Sequence, residues 1–316
     1  MKSVAETVNQ ITDWQPPVIP EDIVHGDMPG DKVDITREHV QKANIIFREL
    51  LPKLAEASEK SDTGKVVITV CGGSGVGKSE IASLLAFYLK KAGIGSYTLS
   101  GDNYPHRIPV YNDAERLRIF RESALQGMVR EGVFTADCFT VIHGLQEKND
   151  DANRTHIGEY GWYEVYLRNG KEGLKRYLGS NDEIGFDEVE KIVREFKAGS
   201  DEIWLKRMGR KDTELWYEKV DFSGVQVLVI EWTHGNSDNY RGVDIPVLLN
   251  STPRETLAHR RARKRDGATD SPFTMMVLEI EQEMLEQQAS KAKIIISKRG
   301  ELLSYGAYCR QMEEGR

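Results

Sequence analysis

The sequence predicts an α/β fold. Its expected form is a three-layer α/β/α arrangement, a doubly wound parallel sheet of about five strands with helices on both faces, preceded by an N-terminal helical extension. Three observations carry this. A β-prone run, Val66 to Val70, feeds a glycine-rich turn and then an amphipathic helix. Further short apolar runs at 97–100, 225–230, 245–249 and 292–297 are separated by helical patterns, as parallel strands joined by crossover helices require. Hydrophobic residues make up 39% of the 316, enough for one large core or two smaller ones.

Composition narrows the partners. A net charge of −7 argues against general nucleic-acid binding, which needs a basic field. Cys71, Cys138 and Cys309 are far apart and lack C-x-x-C spacing, so a reducing compartment is expected, with no zinc site and no disulfide frame. Met1 to Gln10 lacks the apolar run of a signal peptide, and no stretch approaches the roughly 18 apolar residues of a membrane span. The expectation is a cytoplasmic protein with no membrane partner.

Taken in order, residues 1–35 carry Pro16, Pro17, Pro20 and Pro29 and predict an extended arm. Val40, Ala43, Phe47, Leu50 and Leu54 keep a three/four spacing and predict a helix from Thr36 to Leu54. It either covers one sheet face, the preferred reading, or joins copies in a homo-oligomer. Glu56 to Gly64 is a polar linker. The chain therefore divides into an arm and helix, 1–62, and a main domain, 63–316.

The main domain opens on Gly72, Gly73, Ser74, Gly75, Val76, Gly77, Lys78 and Ser79, the full phosphate-loop pattern G-x-x-x-x-G-K-[ST] in its strand–loop–helix context. Glycines let successive N–H groups point at one phosphate chain, and the new helix N-terminus favours an anion. Lys78 reaches the β- and γ-phosphates of ATP, and the Ser79 hydroxyl ligates Mg²⁺. The helix keeps Ile81, Leu84, Leu85, Tyr88 and Leu89 on one side and stops at Gly93.

Tyr97 to Ser100 is the next strand, followed at once by Gly101 to Arg107. Strand ends of a parallel sheet line the ligand crevice, so Asp102 is expected near the γ-phosphate, as acceptor of a hydroxyl proton or as help for Mg²⁺. The plain alternative is an Asp-Asn turn. Tyr104, His106 and Arg107 are candidate substrate contacts in the same stretch. A helix over 112–132 is capped by Asn112 and Glu115. Its Arg116, Arg118 and Arg121 either clamp an anionic substrate or form a solvated face.

Residues 133–180 are rich in aromatics and read as a substrate pocket or as a small insertion with its own core. Their histidines lack metal-ligand spacing. A helix follows from Phe186 to Lys197. Glu202 to Phe222 is charged and expected at the surface, so 105–220 forms a substrate-side insertion.

The run Val225 to Ile230 ends in Glu231, an acid placed to hold Mg²⁺ directly or through water. Ile245 to Leu249 is another strand. Thr252, Pro253 and Glu255 start a helix, and five of the six residues from Arg260 to Arg265 are basic. This is either a solvated face or a lid over 254–272, hinged near Gly267, that closes on the phosphates. Ser271 opens a helix bearing Phe273, Val277, Ile280 and Met284. Ala292 to Ser297 is the last expected strand, and the tail after Gly300 adds no motif.

This order of pieces resembles the phosphoribulokinase/uridine kinase family of P-loop small-molecule kinases over about 66 to 297. The loop from Gly72 to Ser79 looks like that family's. Asp102-Asn103-Tyr104 is similar to its Asp-Ser-Phe-Tyr stretch, and Glu231 matches the glutamate of its Glu-Gly signature. Phe186 to Gly199 resembles the helix before its acceptor region. Arg261 to Asp266 resembles its Arg-Arg-x-x-Arg-Asp lid, with Arg261 and Arg265 in register.

The resemblance implies a P-loop NTPase fold and a kinase that moves the ATP γ-phosphoryl to a hydroxyl of a small metabolite. Asp102 would be the base, Ser79 and Glu231 the Mg²⁺ ligands, and Arg261 and Arg265 the clamp on the transferring group. A nucleoside or sugar ranks first as acceptor. Sugar phosphates, hydroxy acids, pantothenate-like alcohols and adenylyl sulfate follow. The alternative is a nucleotide-dependent switch that acts on a protein partner. The chain departs from the family pattern at Trp232, which stands for its glycine, and at Ala262, which stands for its second lid arginine. It also lacks a Pro-x-Tyr-Asp pattern between Gly199 and Phe222, has a longer 107–185 stretch, and carries sixty N-terminal residues without a counterpart.

Overall fold

Every residue of β1 (Val66–Gly72) is buried, as a strand covered on both faces must be. In the computed structural model, which describes residues 2–20, 22–263 and 271–314, β1 lies inside a six-stranded sheet. Three elements lead to and from it: α1 (Val4–Asn9), α2 (Arg37–Lys60) and, after the glycine turn, α3 (Lys78–Lys91). Then come β2 (Ser96–Ser100), α4 (Pro109–Arg130), α5 (Ala136–Glu147), α6 (Tyr163–Tyr177), α7 (Phe186–Lys197), β3 (Glu202–Met208), β4 (Leu215–Asp221) and β5 (Val227–Glu231). β6 (Ile245–Leu249), α8 (Pro253–Arg263), α9 (Pro272–Gln288), β7 (Ile294–Ile296), β8 (Leu302–Leu303) and α10 (Tyr305–Glu314) complete the order.

The sheet order is β2-β5-β1-β6-β7-β8, and its first five strands are parallel. Both neighbours of β1 come later in the chain, so the connections diverge at its carboxyl end. That divergence opens the crevice in which open α/β sheets bind ligands. The doubly wound expectation and its five parallel strands therefore hold. No described helix is long and apolar enough to cross a membrane.

The tail after Gly300, which carries no motif, adds structure: β8 runs antiparallel to β7, and α10 packs Tyr308 and Met312 on Leu248 and Ile295. Two expectations need correction. Glu202 to Phe222 is an antiparallel hairpin, β3 with β4, in which Ile203, Leu205 and Met208 are buried. Its charged residues hide the alternation of apolar positions. Finally, α4 starts at Pro109, one turn before Asn112, because proline suits the first helical position. Asn112 is thus a buried residue inside the helix, not its cap.

Residues 133–180 form α5 and α6. Phe120, Tyr163, Tyr166 and Leu174 pack there with Val277 and Ile280 of α9 in a separate core. This is the small-insertion alternative.

The N-terminal residues join the main core. The arm is not extended throughout, since Ser3 caps α1 and Glu6 closes the capping box. The α2 helix runs to Lys60, so Glu56 to Lys60 is helix where a linker was expected. Ser58 explains the length, because its side chain is buried and bonds the Gly64 carbonyl at 3.2 Å. Phe47 sits between Trp14 of the arm, at 4.4 Å, and Tyr88 of α3, at 5.4 Å. Phe47, Leu50 and Leu54 share one cluster with Ile68 and Val70 of β1.

Phe47 is fully buried, so Phe47→Ala should cost about 3–5 kcal/mol. A urea-denaturation midpoint measures it, and a loss below about 1 kcal/mol would show that α2 is not part of this core.

Candidate active site

The phosphate loop leaves β1 at Gly72, and Gly77, in the left-handed region at φ +97°, caps α3. The first amides of α3 therefore point into the crevice. Lys78 Nζ donates to the Gly73 carbonyl at 3.1 Å, so the lysine lies along the loop it serves. Arg260 of α8 packs over the loop. A Cβ added to Gly75 would lie 2.9 Å from Arg260 Cγ, which leaves room only for glycine.

Strand register brings the acid to this place. Glu231, the last residue of β5, pairs with Val70 of β1 on one side and with Ser100 of β2 on the other. Ser79 Oγ donates to Glu231 Oε2 at 3.1 Å, and Ser100 Oγ donates to Oε1 at 2.6 Å. Burial and the nearby Asp102 charge push the Glu231 carboxyl up to about 8. A desolvated carboxylate beside a second carboxylate and a hydroxyl is a hard-oxygen set, and Mg²⁺ fits its chemistry. Among the described residues no cluster of three His, Cys, Asp or Glu side chains is set to hold a metal, so phosphate oxygens and water would complete such a shell.

Asp102 stands on a short 3₁₀ turn, Gly101–Asn103, directly after β2, and its exposed side chain faces the same crevice. Trp232 explains the glycine before it. The indole is buried against Phe186 at 5.2 Å, and a Cβ on Gly101 would lie 2.0 Å from its Cγ. At this junction the bulk sits at the end of β5 and the glycine at the end of β2, which accounts for the tryptophan in the Glu-Gly position.

A cleft of about 850 Å³ is lined by Lys78, Ser79, Arg260 and Asp102 together with Arg107, Arg116, Glu183 and Glu281. Glu281 also lies beside Arg260 and the Gly73–Ser74 turn. Around Arg116 the lining is polar and partly buried. Glu183 accepts from Arg116 Nε at 2.6 Å, Asn112 Nδ2 at 3.0 Å and Gly179 N at 2.7 Å. Burial raises the Glu183 carboxyl, but Arg116, His234 and these donors outweigh it and hold it below the usual range. Glu281 lies 3.7 Å from Arg116, and burial raises its carboxyl. Asn112 is 6% exposed, and its Oδ1 is buried without a hydrogen-bond partner. Burial depresses His234 to about 4, against the pull of Glu183, so the ring is neutral at pH 7.

The expected site residues are placed unequally. Gly72 to Ser79, Asp102 and Glu231 come together. Tyr104 is a fully buried core residue. His106 is exposed and bonds the Asn181 carbonyl at 2.9 Å. Arg107 lines the cleft and donates to the Tyr177 hydroxyl at 3.0 Å. Of the helix arginines, Arg116 faces the cleft, while Arg118 pairs with Glu115 and Arg121 with Asp151. Arg261 is on the exposed side of α8 and does not line the cleft. Arg265 and the Gly267 hinge lie outside the described residues.

Sequence reasoning took Arg260 only as one of the basic run from Arg260 to Arg265, and missed Glu183, His234, Glu281 and the arm residues at 26–31. Arg260 had a signal: Thr256 precedes it by four residues, and Arg260 Nη1 donates to Thr256 Oγ1 at 2.6 Å.

His234 sets a pH dependence. An unfolded chain protonates it near 6.5, whereas the folded ring resists until about pH 4. Its contribution is complete above pH 6.5 and drains as pH falls toward 4, at up to about 1.4 kcal/mol per unit. His234→Gln should flatten the stability-against-pH curve in that window. Parallel curves for the two proteins would refute the neutral ring.

No protein-family model matches the chain. Over 251 residues it is 38% identical to the bifunctional α-galactosidase/sucrose kinase of Mediterraneibacter gnavus, a match that covers 79% of this chain and 22% of that protein. Solved structures align more distantly. One, assigned provisionally as a fructose transport system kinase of Silicibacter sp., has TM-score 0.46 at 11% identity over 79% of this chain and 94% of that one. D-glycerate 3-kinase of Cryptococcus neoformans has TM-score 0.44 at 12% identity over 83% and 97%. A Bacillus stearothermophilus protein assigned provisionally as a uridine kinase has 0.36 at 15% over 78% and 98%. At 38% identity the chain is a sequence relative of the Mediterraneibacter protein, and its phosphate loop, strand order and strand-end acid give it the α/β fold of the P-loop small-molecule kinases.

Proposed function

We propose that this chain is a kinase of the phosphoribulokinase/uridine kinase type that transfers the ATP γ-phosphoryl group to a hydroxyl of a neutral sugar. The single observation that carries the reading is one continuous cleft. It joins Lys78, Ser79, Glu231 and Asp102 to the partly buried polar set around Arg116.

Backbone amides from Gly73 to Ser79 bind the phosphates, and Lys78 swings from the Gly73 carbonyl to bridge the β- and γ-phosphates. Ser79 and Glu231 would hold Mg²⁺, which would neutralise charge on the phosphate oxygens. Asp102 accepts the proton of the attacking hydroxyl, and its exposure suits a group that must meet substrate. Arg260 lies over the loop where charge develops. Arg261 and Arg265 join it in this reading when the lid helix closes.

The acceptor follows from charge. Arg116 is neutralised by Glu183 and Glu281, and Arg107 lies 3.5 Å from Glu115. An anionic acceptor would meet three carboxyl groups beside these two guanidinium groups. A polyhydroxyl molecule suits the set, because carboxylates, guanidinium and the waiting Asn112 Oδ1 all take hydroxyl partners. The sequence relative is named a sucrose kinase, so sucrose and related disaccharides stand first. The three cysteines are free, and we place the enzyme in a reducing cytoplasm.

Mg-ATP with a panel of disaccharides, monosaccharides, nucleosides, sugar phosphates, hydroxy acids, pantothenate and adenylyl sulfate tests this. ADP release should rise with the sugars and vanish in Lys78→Ala. Asp102→Asn should lower kcat by about 10²–10⁴ with little change in the KM for ATP. Asn112→Ala should raise the sugar KM by about tenfold and leave that for ATP alone. A slow rate indifferent to every acceptor would replace this reading with a nucleotide-dependent switch.

A further inference from the structure

The arm before α2 reaches the reacting centre. A Cβ added to Gly26 would lie 3.5 Å from Glu231 Oε1, and Met28, Pro29 and Asp31 line the cleft. Between them, the Asp27 side chain is 9% exposed. Its Oδ1 accepts from Ser100 N at 2.7 Å and Asn103 Nδ2 at 3.0 Å. Its Oδ2 accepts from the Tyr97 hydroxyl at 2.9 Å and Arg207 Nη1 at 2.8 Å.

Two of these donors bracket the turn that carries Asp102. Ser100 is the last residue of β2 and precedes the turn; Asn103 is its last residue, fully buried, and accepts from Met208 N of β3 at 2.9 Å. Within the turn, Tyr104 N donates to the Gly101 carbonyl at 3.0 Å. Without Asp27, Ser100 N would lose this acceptor, Asn103 Nδ2 would keep only the Ser100 carbonyl at 3.4 Å, and Arg207 would keep Glu218 and the Lys206 carbonyl. Burial raises the Asp27 carboxyl above the usual range, against the pull of Arg207 and the Ser100 and Tyr97 donors. Donors face both of its oxygens.

We propose that Asp27 is a positioning residue for phosphoryl transfer. It clamps both ends of the Ser100–Asn103 segment and so sets where Asp102 stands relative to Lys78 and Glu231. The segment before α2 is then part of the active site. This rests on the reading of Asp102 as the base for the acceptor hydroxyl. A base misplaced by about 1 Å loses on the order of 100-fold in rate, which separates a positioning role from a merely stabilising one.

A double-mutant cycle on the full chain tests it. Asp27→Asn turns one accepting oxygen into a donor that faces Arg207. With sugar and Mg-ATP, kcat should fall by about 10–100-fold, with the KM for ATP and the binding of a fluorescent ADP analogue unchanged. In an Asp102→Asn background the same change should alter the residual rate by less than about twofold, because no base remains to be placed. Equal losses in the two backgrounds, or a loss that tracks ADP-analogue affinity, would overturn the proposal. If Asp27→Asn does not bind the analogue, Tyr97→Phe removes one donor to the same carboxylate and enters the same cycle. It should show a loss of about two- to fivefold that disappears beside Asp102→Asn. No loss, or an equal loss in both backgrounds, would overturn the proposal. If the wild-type chain releases no ADP in response to any acceptor, the kinase reading fails and Asp27 with it. Additive losses in an active kinase overturn the role of Asp27 alone.

Discussion

The Glu231 carboxylate is the constraint around which the rest of the molecule is arranged. It is buried at the end of β5, between β1 and β2, and two hydroxyls from different elements bond its oxygens. A buried polar group of this kind persists only where it is partnered. Here Ser79 ties it to the first turn of the phosphate-loop helix and Ser100 ties it to the turn that bears Asp102. The phosphate loop, the strand-end acid and the Asp102 turn are thereby held in one hydrogen-bonded unit, built on strand ends.

The residue after Glu231 extends the same logic to packing. Trp232 fills the space that the glycine of the related signature leaves open, and Gly101 yields room for it. Phe186 and Tyr240 close around the indole, so the start of α7 packs against the end of β5. The tryptophan is thus accommodated by the glycine at the neighbouring strand end. The chemistry of the strand-end acid is untouched by it.

Around Arg116 the cleft balances its charges internally. Arg116 bridges Glu183 of the segment before α7 and Glu281 of α9, and Asn112 shares the Glu183 carboxylate. Such a network is costly if any member lacks a partner and rigid when all have one. What stays open is the Asn112 Oδ1 atom, a neutral acceptor in a nearly neutral pocket.

By itself, the sequence determined the parallel sheet, the phosphate loop, the strand-end acid and most helix positions. These are local properties: residue type, spacing of two or 3.6, and caps a few residues away. Gly72 to Ser79 and Glu231 were legible because their chemistry needs those residues at those places. The tertiary structure alone decided the rest. Asp27 meets Ser100 across 73 residues and Arg207 across 180. No periodicity relates them, so an arm with four prolines looked detached. Arg260 and Arg261 differ by one position, which on a helix is a rotation of about 100°, and only the packing of α8 on the loop shows which of them faces the phosphate site. The β3–β4 hairpin was hidden because residue type does not mark its faces: Lys206 and Arg207 are buried while Trp204, Leu215, Trp216 and Tyr217 are exposed. Pairings between distant segments depend on shape and burial, and those exist only once the chain has folded.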